Sequence, residues 1–206
     1  MLSAQELVRA RETPRSPGSR DIDVRRHLAM VDQTPHTAEV HGMYIIQIYD
    51  VLQGQGIQCA HEHPLRSFRY YSVRRFMELC LNAAITLYPN EPLQSGLRRL
   101  GHQVIPTFFE STMLGKVLLG VAGKNWETAL TCIARGYQIS LRPGHAAVSI
   151  LGPGRAQVEL RSIWNFGDSY QVGIVESLMD WYSVQGHVKA HVLSQCDTDL
   201  VIEWSK

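Results

Sequence analysis

The densest set of chemically able side chains is Cys59-Ala60-His61-Glu62-His63, a thiol, two imidazoles and a carboxylate within five residues. In an extended loop His61 and His63 could chelate a divalent ion together. A structural metal site takes about four ligands, and the sequence offers no remote partner, so the segment reads as a solvated loop with no metal. Tyr70-Tyr71-Ser72-Val73-Arg74 sets two hydroxyls and a guanidinium at spacings that could grip carboxylates. The plainer reading is a helix capped by Ser72 with a basic first turn. Arg66, Arg69, Arg74 and Arg75 form a basic patch that could hold a phosphate or an acidic partner, or simply a solvated helix face. His187 and His191 are four apart, which would chelate on a helix; on a strand that spacing spans about 13 Å, so they are rejected as a pair. No G-x-S-x-G, Walker loop or H-E-x-x-H is present. Gly152-Pro153-Gly154 precedes no helix N-terminus and is a hairpin turn, not a phosphate loop. The sequence thus predicts a non-enzyme without a cofactor.

The elements that must position these residues change character at Gly136. Before it, hydrophobic residues recur at helical spacing. A short helix is expected over Asp21–Val31, then one over Gly42–Gly54, apolar on nearly every face. Val73, Phe76, Met77, Cys80, Leu81, Ala84 and Leu87 mark a helix over Ser72–Leu87. Leu93, Leu97, Leu100, Val104 and Phe108 mark another from Pro92 to Ser111, which Pro106 should bend or split. Two short helices follow, Thr112–Ala122 and Trp126–Arg135, the second capped by Asn125 and ended by Gly136.

After Gly136 the period becomes two. Strands are expected over Tyr137–Arg142, Ala146–Leu151 and Ala156–Arg161, with Ala156, Val158 and Leu160 facing inward. A helix capped by Asp168 or Ser169 runs to Tyr182, with Gly173 packing against the sheet, and His187–Leu193 and Thr198–Trp204 close a hairpin. Helices followed by antiparallel strands predict an α+β domain. The expected form is an N-terminal helical layer packed on a C-terminal antiparallel sheet of four to five strands with one further helix.

The chain has 206 residues, 45% hydrophobic and 19% charged, with a formal net charge of +1. That suits one domain, here residues 21–206 behind a flexible tail over 1–20. The near-neutral balance advertises no nucleic-acid partner. No apolar run reaches the roughly 18 residues of a membrane span, and the N-terminus has no signal-peptide h-region. Cys59, Cys80, Cys132 and Cys196 form no CxxC pair and are expected as reduced thiols in a cytoplasmic protein.

Taken in order, the segments TAEVHGMYIIQIYDVLQGQG, RYYSVRRFMELCLNAAITLYP, GLRRLGHQVIPTFFESTMLGKVLLGVAG, LGPGRAQVELRSIW, YQVGIVESLMDWYSVQGHVKAHV and DLVIEW resemble the family of unknown function DUF2378, expanded in myxobacteria. The resemblance covers roughly residues 38–204. Its most specific pieces are the R-L-G segment from Arg99, with Gly115 after it, and the L-G-P-G-R-A turn from Leu151. The family has no assigned activity and implies no catalytic residues. More distantly, the strands, the helix containing Gly173 and the final hairpin look like four-vinyl-reductase-type ligand domains. Those are similar in fold to haem nitric-oxide sensors and Bet3-type trafficking subunits, which implies binding of a small apolar ligand, haem or a protein. The Tyr70–Arg74 segment matches the Y-x-S-x-R propionate motif of the haem sensors. There, however, the motif follows the haem-bearing histidine in the C-terminal half, a slot held here by Trp164–Tyr170, so haem is not expected.

Phe108, Phe109, Trp126, Tyr137, Trp164 and Tyr170 could line a ligand cavity between helices and sheet, or form plain core. The Gly42–Gly54 helix is apolar well beyond the roughly 100° arc that one layer covers. Ile45, Ile48, Tyr49 and Leu52 are therefore expected at a homodimer interface, the alternative being a central helix enclosed by its own domain. The functional expectation is a bacterial signalling domain that binds a small, apolar ligand or a protein partner. The alternatives are an interaction adaptor without ligand, or an enzyme whose site is unrecognised.

Overall fold

A computed structural model describes residues 19–58 and 64–205. The expected tail, except its last two residues, and the Cys59–His63 cluster lie outside the described residues. The described elements are α1 (Ser19–Gln33), β1 (Glu39–His41), α2 (Gly42–Gly54), β2 (Tyr70–Ser72), α3 (Val73–Leu87), α4 (Leu93–Ser111), α5 (Met113–Ala122), α6 (Trp126–Ser140), β3 (Leu141–Arg142), β4 (His145–Gly152), β5 (Arg155–Arg161), α7 (Tyr170–Trp181), β6 (Gly186–Val192) and β7 (Thr198–Trp204). The fold is α+β, with the helical layer leading and an antiparallel sheet following.

That sheet has four strands in the order β4-β5-β7-β6. Val158 pairs with Val148 on one side and with Leu200 on the other. The alternation expected in β5 holds, since Ala156, Val158 and Leu160 are buried. A second, three-stranded sheet, β2-β1-β3, was not expected. Its strands have two or three residues, too few to show a period of two.

Three readings are corrected. Trp126–Arg135 does not stop at Gly136: the helix runs on to Ser140, leaving only Leu141–Arg142 as strand. Gly136 lies beside the Leu118 side chain of α5 inside the helix and does not terminate it. Of the two outcomes expected at Pro106, splitting does not occur, since Pro106 sits inside a continuous α4; the break comes at Thr112, where the chain turns by 91°. Thr112 makes that elbow. Its hydroxyl donates to the Phe108 carbonyl at 2.8 Å and accepts from the Gly115 amide at 2.9 Å. A Cβ at Gly115 would stand 2.2 Å from the Phe108 carbonyl oxygen, so only glycine fits there.

The third correction concerns α2. Ile45, Ile48 and Leu52 are all buried by the chain's own elements, with Tyr49 only partly so. Ile45, Ile48 and Leu52 are therefore spent on the chain's own core, which is the enclosed-helix alternative, and of the four only Tyr49 keeps exposed surface. The helix is apolar all round because α3, α4 and β1 cover it.

Candidate functional site

Of the two amides on the Gly42–Gly54 helix, Gln47 and Gln53, the fold buries Gln47. Gln47 is 1% exposed. Neither its Nε2 nor its Oε1 has a hydrogen-bond partner among the described residues. An unpaired buried donor or acceptor costs about 1–3 kcal/mol.

Two spaces share Gln47 as a wall. The outer one, about 210 Å³, lies between α2 and the Thr112 elbow. Met43, Ile46, Gln47 and Asp50 form its α2 side, Ser111–Leu114 the elbow side, and Phe68 stands at the rim with its ring largely exposed. The inner one, about 30 Å³, is a cleft lined by α2, α4, α5, α6 and α7 through Tyr44, Phe108, Leu118, Tyr137 and Ile174 among others. It has room for about one water. Burial pushes the Asp50 carboxyl above its ordinary range.

Deeper still lies a polar pair. The Tyr137 hydroxyl donates to Gln171 Oε1, joining α6 to α7 in the core. Burial pushes the phenols of Tyr44, Tyr137 and Tyr170 upward, so all three are neutral at physiological pH. The Tyr170 hydroxyl is buried without a partner among the described residues. Tyr137→Phe should therefore cost about 1–3 kcal/mol by orphaning Gln171, whereas Tyr170→Phe should be neutral or stabilising. Urea melts of both variants check this; equal losses would contradict it.

The six aromatic residues do not form one wall. Phe108 and Tyr137 line the inner cavity. Phe109 lies 5.2 Å from the Trp181 ring, Tyr170 sits edge-on to Phe76, and Trp126 meets Trp204 at 6.0 Å. Trp164 is partly buried against the core. These are core pairs, and packing partners of this kind cannot be read from spacing. Gln47 was missed, although an amide in the middle of the apolar run MYIIQIY is a visible signal.

The Tyr70–Arg74 segment is also placed. Tyr70 and Ser72 belong to β2. Arg74 is spent on the end of α1, donating to the carbonyls of Thr34 at 2.5 Å and Asp32 at 2.9 Å. The Arg142 guanidinium lies 3.9 Å above the Tyr70 ring. His187 faces Glu203 across the hairpin rather than His191. Among the described residues, no group of three or more His, Cys, Asp or Glu could hold a metal ion.

With this geometry in view, comparison with known proteins is informative. The profile of a family described as protein of unknown function (DUF2378) matches residues 51–205. No curated protein matches the sequence. Solved structures do match in fold. An H-NOX protein from S. oneidensis in the Fe(II)NO state aligns at TM-score 0.60 with 12% identity, covering 81% of this chain and 99% of that one. A variant H-NOX protein from K. algicida aligns at TM-score 0.59 with 11% identity, covering 81% and 97%. An oxygen-binding H-NOX domain related to soluble guanylate cyclases aligns at TM-score 0.57 with 12% identity, covering 80% and 93%.

The described residues that line these spaces do not fit a haem. A cofactor of that size needs a cavity of about 300 Å³ or more and an axial His, Cys, Met or Tyr. Spaces of about 420 and 340 Å³, at Tyr88 and at Tyr70, are lined by no histidine, cysteine or methionine among the described residues; the space between the helices is about 30 Å³, and no histidine lines it. Its phenols are held protonated, and Tyr137 is already bonded to Gln171.

Proposed function

The chain belongs to the DUF2378 family of unknown function, and from that premise we propose that it is a non-enzymatic, haem-free sensory domain. It takes a small molecule between α2 and the elbow joining α4 to α5. The observation that carries this reading is the pocket itself, about 210 Å³, walled by α2 and the elbow, bounded by Gln47 and Asp50 and open at Phe68. The H-NOX likeness supports it at the level of fold only. The free thiols of Cys80, Cys132 and Cys196 support a reducing, cytoplasmic setting. Among the described residues, no single helix is long and apolar enough to cross a membrane.

Native mass spectrometry of protein purified from its own host tests the reading. A bound small molecule that Gln47→Leu removes supports it. Protein that carries nothing, and whose melting temperature no compound in a metabolite panel raises, overturns it. The haem exclusion has its own test. Protein expressed with a haem precursor is expected to be colourless, and a stoichiometric Soret band would refute the fit argued above.

A second reading, an interaction module, rests on α5. Met113, Val117 and Val121 recur four apart and are all more than half exposed, forming one apolar stripe. A second copy is the simplest partner for such a stripe. Light scattering decides this: a dimer mass that Val117→Asp abolishes supports the reading, and monomer mass for the wild type ends it.

A further inference from the structure

The outer pocket uses only the first turn of α5, and the rest of that helix is out of place in water. It reads MLGKVLLGVA, so that apart from two glycines and Lys116 every residue is apolar. A helix apolar all round belongs in a core or in another apolar phase. Yet of its residues only Gly115 and Ala122 are buried. Leu114, Leu118 and Leu119 pack partly against the core, while Met113, Val117 and Val121 are 76%, 55% and 62% exposed. By contrast, α7 buries Val172, Ile174, Val175, Leu178 and Met179. Phe68 extends the stripe, since it is 67% exposed and shares the pocket rim with Met113. The charges on these two segments are of one sign. Between Ser111 and Trp126 only Lys116 and Lys124 are charged, and Arg66 and Arg69 flank Phe68. All four cations are exposed. The acids that adjoin them, Glu110, Glu127 and, across the pocket, Asp50, belong to α4, α6 and α2.

We propose that α5 and Phe68 form a membrane-docking face that seats the domain on an anionic lipid surface. The proposal is independent of the ligand reading. A helix of ten residues is about 15 Å long, half the thickness of a bilayer core, so it can lie on a membrane but not cross one. Lying flat, it sinks its apolar side chains about 5–10 Å into the boundary between headgroups and acyl chains. Met113, Val117 and Val121 share one face at a spacing of four and would enter together. Lys116 stands beside Val117 and Lys124 just past the end of the helix. Each can bury its aliphatic stem and hold its ammonium among lipid phosphates. Phe68 enters in the same way between two guanidiniums. A second copy is the competing occupant, but pairing this stripe with itself brings Lys116 no acid and sets like charges side by side. An anionic bilayer offers the apolar phase and the opposite charge at once.

Flotation of the full chain with vesicles tests this, using phosphatidylcholine alone and phosphatidylcholine mixed with phosphatidylglycerol at about 2:1. The wild type should partition onto the anionic vesicles roughly tenfold or more better than onto the neutral ones, and should be released as salt rises from about 0.1 to 0.5 M. Val117→Asp, which puts a carboxylate into the apolar stripe, and Lys116→Glu, which reverses a flanking charge, should each lower that partition by roughly tenfold or more. Both positions are exposed, so circular dichroism and the melting temperature should match wild type; if one variant fails to fold, the other carries the test. Wild type that floats with neither vesicle overturns the proposal. Flotation equal on both vesicles, or reduced by neither variant, also overturns it, because the contact then lies elsewhere or ignores lipid charge. Protein that stays off both vesicles and has a dimer mass abolished by Val117→Asp gives the stripe to a second copy instead. None of these outcomes touches the ligand reading, which small-molecule binding decides.

Discussion

Gly173→Ala is expected to destabilise the protein by about 3 kcal/mol or more, at the upper end of what overpacking costs. A Cβ at Gly173 would stand 1.9 Å from the Arg98 carbonyl oxygen and 2.9 Å from the His102 amide nitrogen. Both are backbone atoms of α4, so no side-chain rotation relieves the clash. The contact is reciprocal, since a Cβ at Gly101 would stand 2.1 Å from the Tyr170 carbonyl oxygen on α7. The two helices therefore cross with their backbones in contact. Outside the crossing, Arg98 donates through Nε to Glu176 at 2.7 Å, and His102 meets Asp180 at 2.8 Å, which sets the register. Gly120 on α5 is the control. Nothing lies within 4 Å of its Cβ position, so Gly120→Ala should gain up to about 1 kcal/mol from helix propensity. Urea denaturation of both variants reads the contrast. A Gly173→Ala midpoint equal to wild type would mean that α4 and α7 do not meet this closely.

The partner of Gly173 shows where sequence reading stopped. The glycine was legible as a packing position, but the expected partner was the sheet, and the observed one is α4. Period tells which face of an element is covered, not what covers it. The same limit explains α2. Its bounds are as the sequence predicts, Gly42–Gly54, and its all-round apolarity was rightly seen to need cover on several sides. That cover comes from the same chain, because long-range packing carries no local signal. In β5 the alternation sufficed, since one face meets the core and the other does not. In β1, β2 and β3 it could not, because hydrogen bonding between very short segments defines those strands. The site was half legible. Gln47 and Asp50 stand out as polar residues in an apolar run, but their meeting with the Thr112 elbow depends on the 91° turn there. That turn rests on one hydroxyl and one glycine, which no periodicity announces.

The enclosure of α2 also fixes what a charge inside it must do. Ile48 is 0% exposed, and Ile48→Glu would place a carboxylate there without a partner. The loss should be several kcal/mol, against a total stability of about 5–15 kcal/mol for a domain. No cooperative native state is expected at neutral pH. The pH dependence follows from burial, which raises the carboxyl's folded-state pKa above its unfolded value near 4.3. The protonated form is the one the folded state tolerates. The penalty is therefore least below about pH 4, and it grows by about 1.4 kcal/mol per pH unit as pH rises toward the folded-state value. Ile48→Gln, which does not titrate, should show no such slope relative to wild type. Ile48→Val, which only removes a methylene, should cost about 0.5–1.5 kcal/mol. Circular dichroism and urea melts from pH 4 to 8 separate the three variants. The decisive contrary result is an Ile48→Glu protein that is folded and monomeric at pH 7 beside a dimeric wild type. It would put Ile48 on a subunit interface and α2 on the surface.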